Sequence, residues 1–128
     1  MTARVAMTTL VVDDYDRAIA FYRDALGLAL LADADMGGGK RWVVVSGPAG
    51  GRLLLARAVD EAQRAAIGRQ AGGRVGFFME TDDFAADHAR FMAHGVRFRE
   101  APRHEAYGTV AVFEDPFGNL WDLIEPKD

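Results

Sequence analysis

The stretch MTTLVVDDYDRAIAFYRDALG, residues 7–27, decides the fold. Its opening MTTLVV is rich in β-branched residues and reads as a strand. Met7, Thr9 and Val11 fall on one face, with Thr8, Leu10 and Val12 on the other. Asp13-Asp14 then offers carboxylates to the free N–H groups of a helix start. Behind that pair, Tyr15, Ala18, Ile19, Tyr22, Ala25 and Leu26 recur at helical spacing and make one apolar stripe. Gly27 closes the helix, because glycine enters the left-handed conformation at little cost.

Working outward, the same order returns 69 residues later. GFFMETDDFAADHARFMAHG, residues 76–95, sets Asp82-Asp83-Phe84 against Asp13-Asp14-Tyr15, and Gly95 follows in the role of Gly27. Phe84, His88, Phe91 and Met92 form the second apolar stripe. Further strands are expected over 28–33, 40–46 and 52–57 in the first half, and over 96–100, 109–113 and 119–124 in the second. The prediction is an α+β fold of two tandem β-α-β-β-β modules, eight strands in all, with curved mixed sheets enclosing a cleft. Residues 4–57 and 74–125 are the modules of a single domain spanning 1–128, and 58–73 is a linker. Asp60 with Gln63 resembles a capping box that starts a short linker helix over 61–69.

Composition limits the function. Fifteen Lys and Arg against nineteen Asp and Glu give a net charge of −4, which argues against nucleic-acid binding and against polybasic membrane attachment. The absence of cysteine excludes disulfides, thiolate nucleophiles and Cys-held metals. The apolar runs are far too short to span a bilayer, so a cytoplasmic location is expected. Gly37-Gly38-Gly39-Lys40 lacks phosphate-loop spacing and reads as a hairpin turn. His88 sits on an apolar stripe and His94 at a helix end, whereas His104, in the loop RHEAYG, is the histidine best placed to meet a ligand.

The string LVVDDYDRAIAFYRDALGL resembles the opening strand and helix of the vicinal oxygen chelate superfamily, the group of glyoxalase I, the bleomycin-resistance proteins and the extradiol dioxygenases. The closing string VFEDPFGNLWDLIEP is similar to that family's final hairpin, with Asp115-Pro116-Phe117-Gly118-Asn119 as the turn. In metal-dependent members, His or Gln, Glu, His and Glu face the cleft from four strands. Carried onto this chain, those positions are Met7, Leu54, Gly76 (with Arg74 as the nearest polar substitute) and Asp122. Only Asp122 keeps a carboxylate, so no metal and no other cofactor are expected.

The resemblance therefore implies a small-molecule-binding protein without the family's metal centre. The expected ligand-binding residues are Met7, Thr9, Trp42, Leu54, Arg74, Gly76, Phe78, Tyr107 and Asp122. Phe78, Tyr107 and Trp42 offer flat contact area, and Arg74 a directional donor, which suits a partly planar, anionic organic molecule. Two other classes stay open. One is an enzyme, a lyase, isomerase or dioxygenase with a metal-free or non-standard site, using Asp122 or Glu80 as base and Arg74 or Tyr107 to stabilise an oxyanion. The other is an interaction module whose pocket is filled by Met7, Leu54 and Phe78. Arg74 and Asp122 are expected to be able to pair. A homodimer is expected, since each module leaves one sheet face to be covered.

Overall fold

A computed structural model describes residues 2–127, which form two compact units divided between Ile67 and Gly68. The first holds β1 (Met7–Val12), α1 (Tyr15–Ile19), β2 (Ala29–Gly37), β3 (Lys40–Gly47), β4 (Gly50–Arg57) and α2 (Glu61–Ala66). Asp14 caps α1 by accepting from the Arg17 N–H at 2.8 Å. Beyond Ile19 the helix widens into a π-helical segment, Ala20–Ala25, where the Leu26 N–H donates to the Phe21 carbonyl at 2.9 Å. Gly27, with φ of 81°, ends it. The stripe buries Tyr15, Ala18, Ile19, Tyr22 and Leu26, and the strands of the same unit bury Leu10, Val12, Val43, Val45 and Leu55.

The first sheet runs β1-β4-β3-β2, with β1 and β4 parallel. The parallel pairing follows from the connection: β1 hands the chain to a helix that crosses to the far edge before two hairpins bring it back. Asp60 caps α2 through the Gln63 N–H, and Gln63 accepts from the Val59 N–H in return. This helix stops at Ala66, short of the expected 69, because Ile67 leaves helical geometry and Gly68 has φ of 73°.

The second unit repeats the order with β5 (Val75–Glu80), α3 (Phe84–Ala93), β6 (Arg97–Phe98), β7 (Arg103–Glu105), β8 (Gly108–Glu114) and β9 (Leu120–Pro126). Its sheet runs β5-β9-β8-β6, with β7 also on β8 and β5 parallel to β9. Asp83 caps α3 through the Ala86 N–H, and Glu125 takes the Phe84 N–H at 2.8 Å. Phe91, Phe113, Trp121 and Phe77 build an aromatic core, with Phe77 stacked on Trp121 at 4.8 Å. Met92, expected on the stripe, is 54% exposed.

Two expectations are corrected. The second half has one strand more than predicted, so the described residues hold nine strands rather than eight. The expected strand over 96–100 shrinks to Arg97–Phe98 because the Glu100 side chain takes the Val112 N–H at 2.9 Å, and Pro102 has no N–H to offer a ladder. The chain then pairs again as β7. The second correction concerns shape: neither sheet is curved or closed around a cleft. Each is an open path between two different edge strands, β1 and β2 in one unit, β5 and β6 in the other. So few strands cannot bring their edges together.

Candidate functional site

Strand register sorts the expected site residues onto two open faces, one per unit. In the first sheet Met7 lies opposite Arg52, Thr9 opposite Leu54, and Leu54 opposite Val44. Trp42 lies two residues before Val44 on the same face, paired with Ala34. Met7, Thr9, Trp42 and Leu54 thus share the face turned away from the helix-covered Leu10, Val43 and Leu55. Trp42 is 38% exposed there, while Met7 and Leu54 are half-buried.

In the second sheet Gly76, Phe78 and Glu80 alternate onto the open face while Phe77 turns to the core. Phe78 is opposite Asp122, and Asp122 opposite Val112. Phe78 is 65% exposed and Tyr107, in the turn between β7 and β8, 55%. Arg74 sits in an exposed bend ahead of β5 and lines a cavity of about 90 Å³ beside Gly76.

The pairing of Arg74 with Asp122 is corrected. The arginine whose charge acts on Asp122 is Arg103 of β7. Arg103 is held by Glu100 at 2.8 Å, by Glu105 at 3.2 Å and by the Tyr107 hydroxyl. It stands on the open face because it is opposite Val110, which is opposite Ile124, two residues along from Asp122. Burial pushes the Asp122 carboxyl above the ordinary carboxylate range; Arg103 pulls it back and Glu100 adds to the rise. Arg103 was not among the expected site residues. Its only sequence signal was a place between two acids, Glu100 and Glu105, beside Tyr107.

The histidines stand apart from this cluster. His88 packs between the Phe84 and Phe98 rings at 5.4 and 4.3 Å. His94 meets the Arg90 carbonyl at the end of α3. His104 is exposed, with Nδ1 3.3 Å from the Thr109 hydroxyl.

The residues present do not fit the metal that the resemblance implies. Leu54 and Gly76 carry no donor side chain, Met7 is a soft thioether, and Asp122 is the one hard donor of the four. Among the described residues no three His, Asp or Glu side chains come together as a metal group. At Gly76 the space itself is taken: a Cβ there would lie 2.8 Å from the Ala71 Cβ.

Comparison with known proteins places the chain. Residues 4–123 match the family model of the Glyoxalase/Bleomycin resistance protein/Dioxygenase superfamily. An uncharacterized protein of Shewanella frigidimarina is 49% identical over 131 residues, covering the whole chain and 97% of that protein. The crystal structure of UcmS2 superposes with a TM-score of 0.83 at 28% identity, covering 98% of this chain and 99% of that one. TnmS3, an antibiotic binding protein from Streptomyces sp. CB03234, superposes with a TM-score of 0.78 at 29% identity, covering 99% of each chain. Among the described residues no helix is long and apolar enough to cross a membrane. The chain belongs to the glyoxalase/bleomycin resistance protein/dioxygenase superfamily.

Proposed function

We propose that this protein binds a small, partly planar organic molecule carrying an anionic group, on the helix-free face of one of its sheets and without a metal ion. The carrying observation is that Trp42, Phe78 and Tyr107 stand exposed on or beside the open sheet faces, where the resemblance leads one to expect metal ligands. Exposed rings give broad contact at small entropic cost, and a few polar groups then fix orientation. Similarity to a protein described as antibiotic-binding supports an organic ligand of that class. The filled-pocket reading is disfavoured by the 65% exposure of Phe78.

Intrinsic fluorescence tests the proposal. Of the two tryptophans Trp42 is exposed and Trp121 is 4% exposed, so ligand-induced quenching reports on the first sheet. A panel of planar aromatic acids and their neutral amides should quench saturably, and Trp42→Phe should abolish the signal. Saturable binding by calorimetry that survives both Trp42→Ala and Phe78→Ala undiminished would contradict it.

A second reading is favoured by Asp122 alone. A carboxyl raised by burial beside an arginine is suited to accept a proton from a bound substrate. We propose, too, that the protein is a homodimer, which light scattering would show as twice the 14.0 kDa chain mass.

A further inference from the structure

We propose that the second unit carries a subsite for a small oxyanion, a phosphate, sulfate or carboxylate group, in the cavity walled by Arg74 and Arg99. The cavity measures about 90 Å³, roughly the space of several water molecules. Its wall holds two guanidinium-bearing residues, the buried Asn119 and a set of glycines, and contains no aspartate or glutamate.

The charges around it do not cancel. Arg99 reaches Glu114 Oε1 at 3.3 Å, but the same carboxylate also serves Arg97 through Oε2 at 3.5 Å. One carboxylate is therefore shared by two guanidiniums. No carboxylate lies within ion-pair distance of Arg74 among the described residues. Two like charges lining one small space repel each other, and an anion seated between them turns that repulsion into attraction. Guanidinium groups are suited to the work, because their planar donors match the oxygens of a carboxylate or phosphate in pairs. At Gly73, where nothing lies within 4 Å of the place a Cβ would take, a ligand can approach the backbone dipoles closely. The cavity also borders Gly76 and Leu120, each two residues from the opposed pair Phe78 and Asp122. An acid group held here would leave the rest of a planar molecule beside the Phe78 ring.

The subsite deepens the small-molecule reading and rests on it for the remainder of the ligand, yet inorganic phosphate tests it alone. Phosphate is titrated against the intact protein at ionic strength held constant with chloride, following the melting temperature and the phosphorus linewidth. A saturable stabilisation is expected in the wild type and in Arg64→Gln on α2. Arg74→Gln and Arg99→Gln should each weaken phosphate about tenfold or more, the usual worth of one hydrogen bond to a charged group. Arg74 is exposed, so its variant leaves the fold intact, and Arg74→Lys should recover part of the affinity. A rise that tracks ionic strength without saturating, or one unchanged in both glutamine variants, overturns the subsite.

A planar acid and its amide separate the sources. Loss confined to the acid in Arg74→Gln identifies the ligand's own acid group. Loss confined to phosphate identifies a free anion. Silence with phosphate while neutral amides still quench Trp42 removes the subsite and leaves the broader reading standing. Phosphate binding with no organic ligand removes the broader reading instead.

Discussion

Asp122 is the one hard donor at the four positions compared with the family's ligands, and its surroundings disfavour its charge. Because the folded-state value lies above the unfolded one, the native protein holds a proton that the unfolded chain releases more readily. Stability from this group is therefore greatest at low pH and falls as pH rises from the ordinary carboxylate range through the raised value. Asp122→Asn is expected to be as stable as the wild type or more so at pH 7, with the gap closing below pH 4, as read by urea unfolding across pH. A variant that is clearly less stable at pH 7 would show that attraction to Arg103 outweighs burial. Asp122 entered the sequence reading through the family resemblance, as the residue of LWDLIE at the fourth ligand position. Arg103 was not legible: its influence on Asp122 depends on the β7–β8 and β8–β9 registers, which no local pattern encodes.

Among the elements, the turn between β8 and β9 depends on a side chain with no role in the sequence reading. Asp115-Pro116-Phe117-Gly118-Asn119 was expected as the turn, and Gly118 does take φ of 98°. The centre is Asp115, only 4% exposed, whose Oδ1 accepts from the Phe117 and Asn119 N–H groups at 2.9 and 2.8 Å. Its Oδ2 accepts from Asn119 Nδ2 at 2.7 Å. Asp115→Ala leaves buried donors unmatched and should cost about 3 kcal/mol in urea unfolding, with Asp115→Asn costing less. Losses below about 0.5 kcal/mol, the usual range of an unimportant surface change, would mean the turn holds without it. The helices were legible for the opposite reason. Asp14, Asp60 and Asp83 are local caps written beside the residues they bond. The break between β6 and β7 was missed because a distant Val112 N–H turns Glu100 into a backbone substitute.

At the scale of the whole chain, the duplication was readable because it is a repeat of order: strand, acid cap, helix, glycine, three returning strands. The first unit realises it and the second does so with its first returning strand broken into β6 and β7, with Gly27 and Gly95 at φ of 81° and 80° after the two helices. Sheet shape was not readable, since openness follows from which strands become edges, and the sequence pattern is the same either way. In the binding mode proposed above, organic molecules are held by aromatic faces and polar anchors rather than through a metal. Isothermal titration of the best panel compound into chelator-treated protein, repeated with Zn²⁺, Ni²⁺, Fe²⁺ and Mn²⁺, tests it most directly. One dissociation constant throughout and no tightly held ion per chain are expected. Binding that appears only with a divalent ion, and is lost in Asp122→Ala, would contradict it.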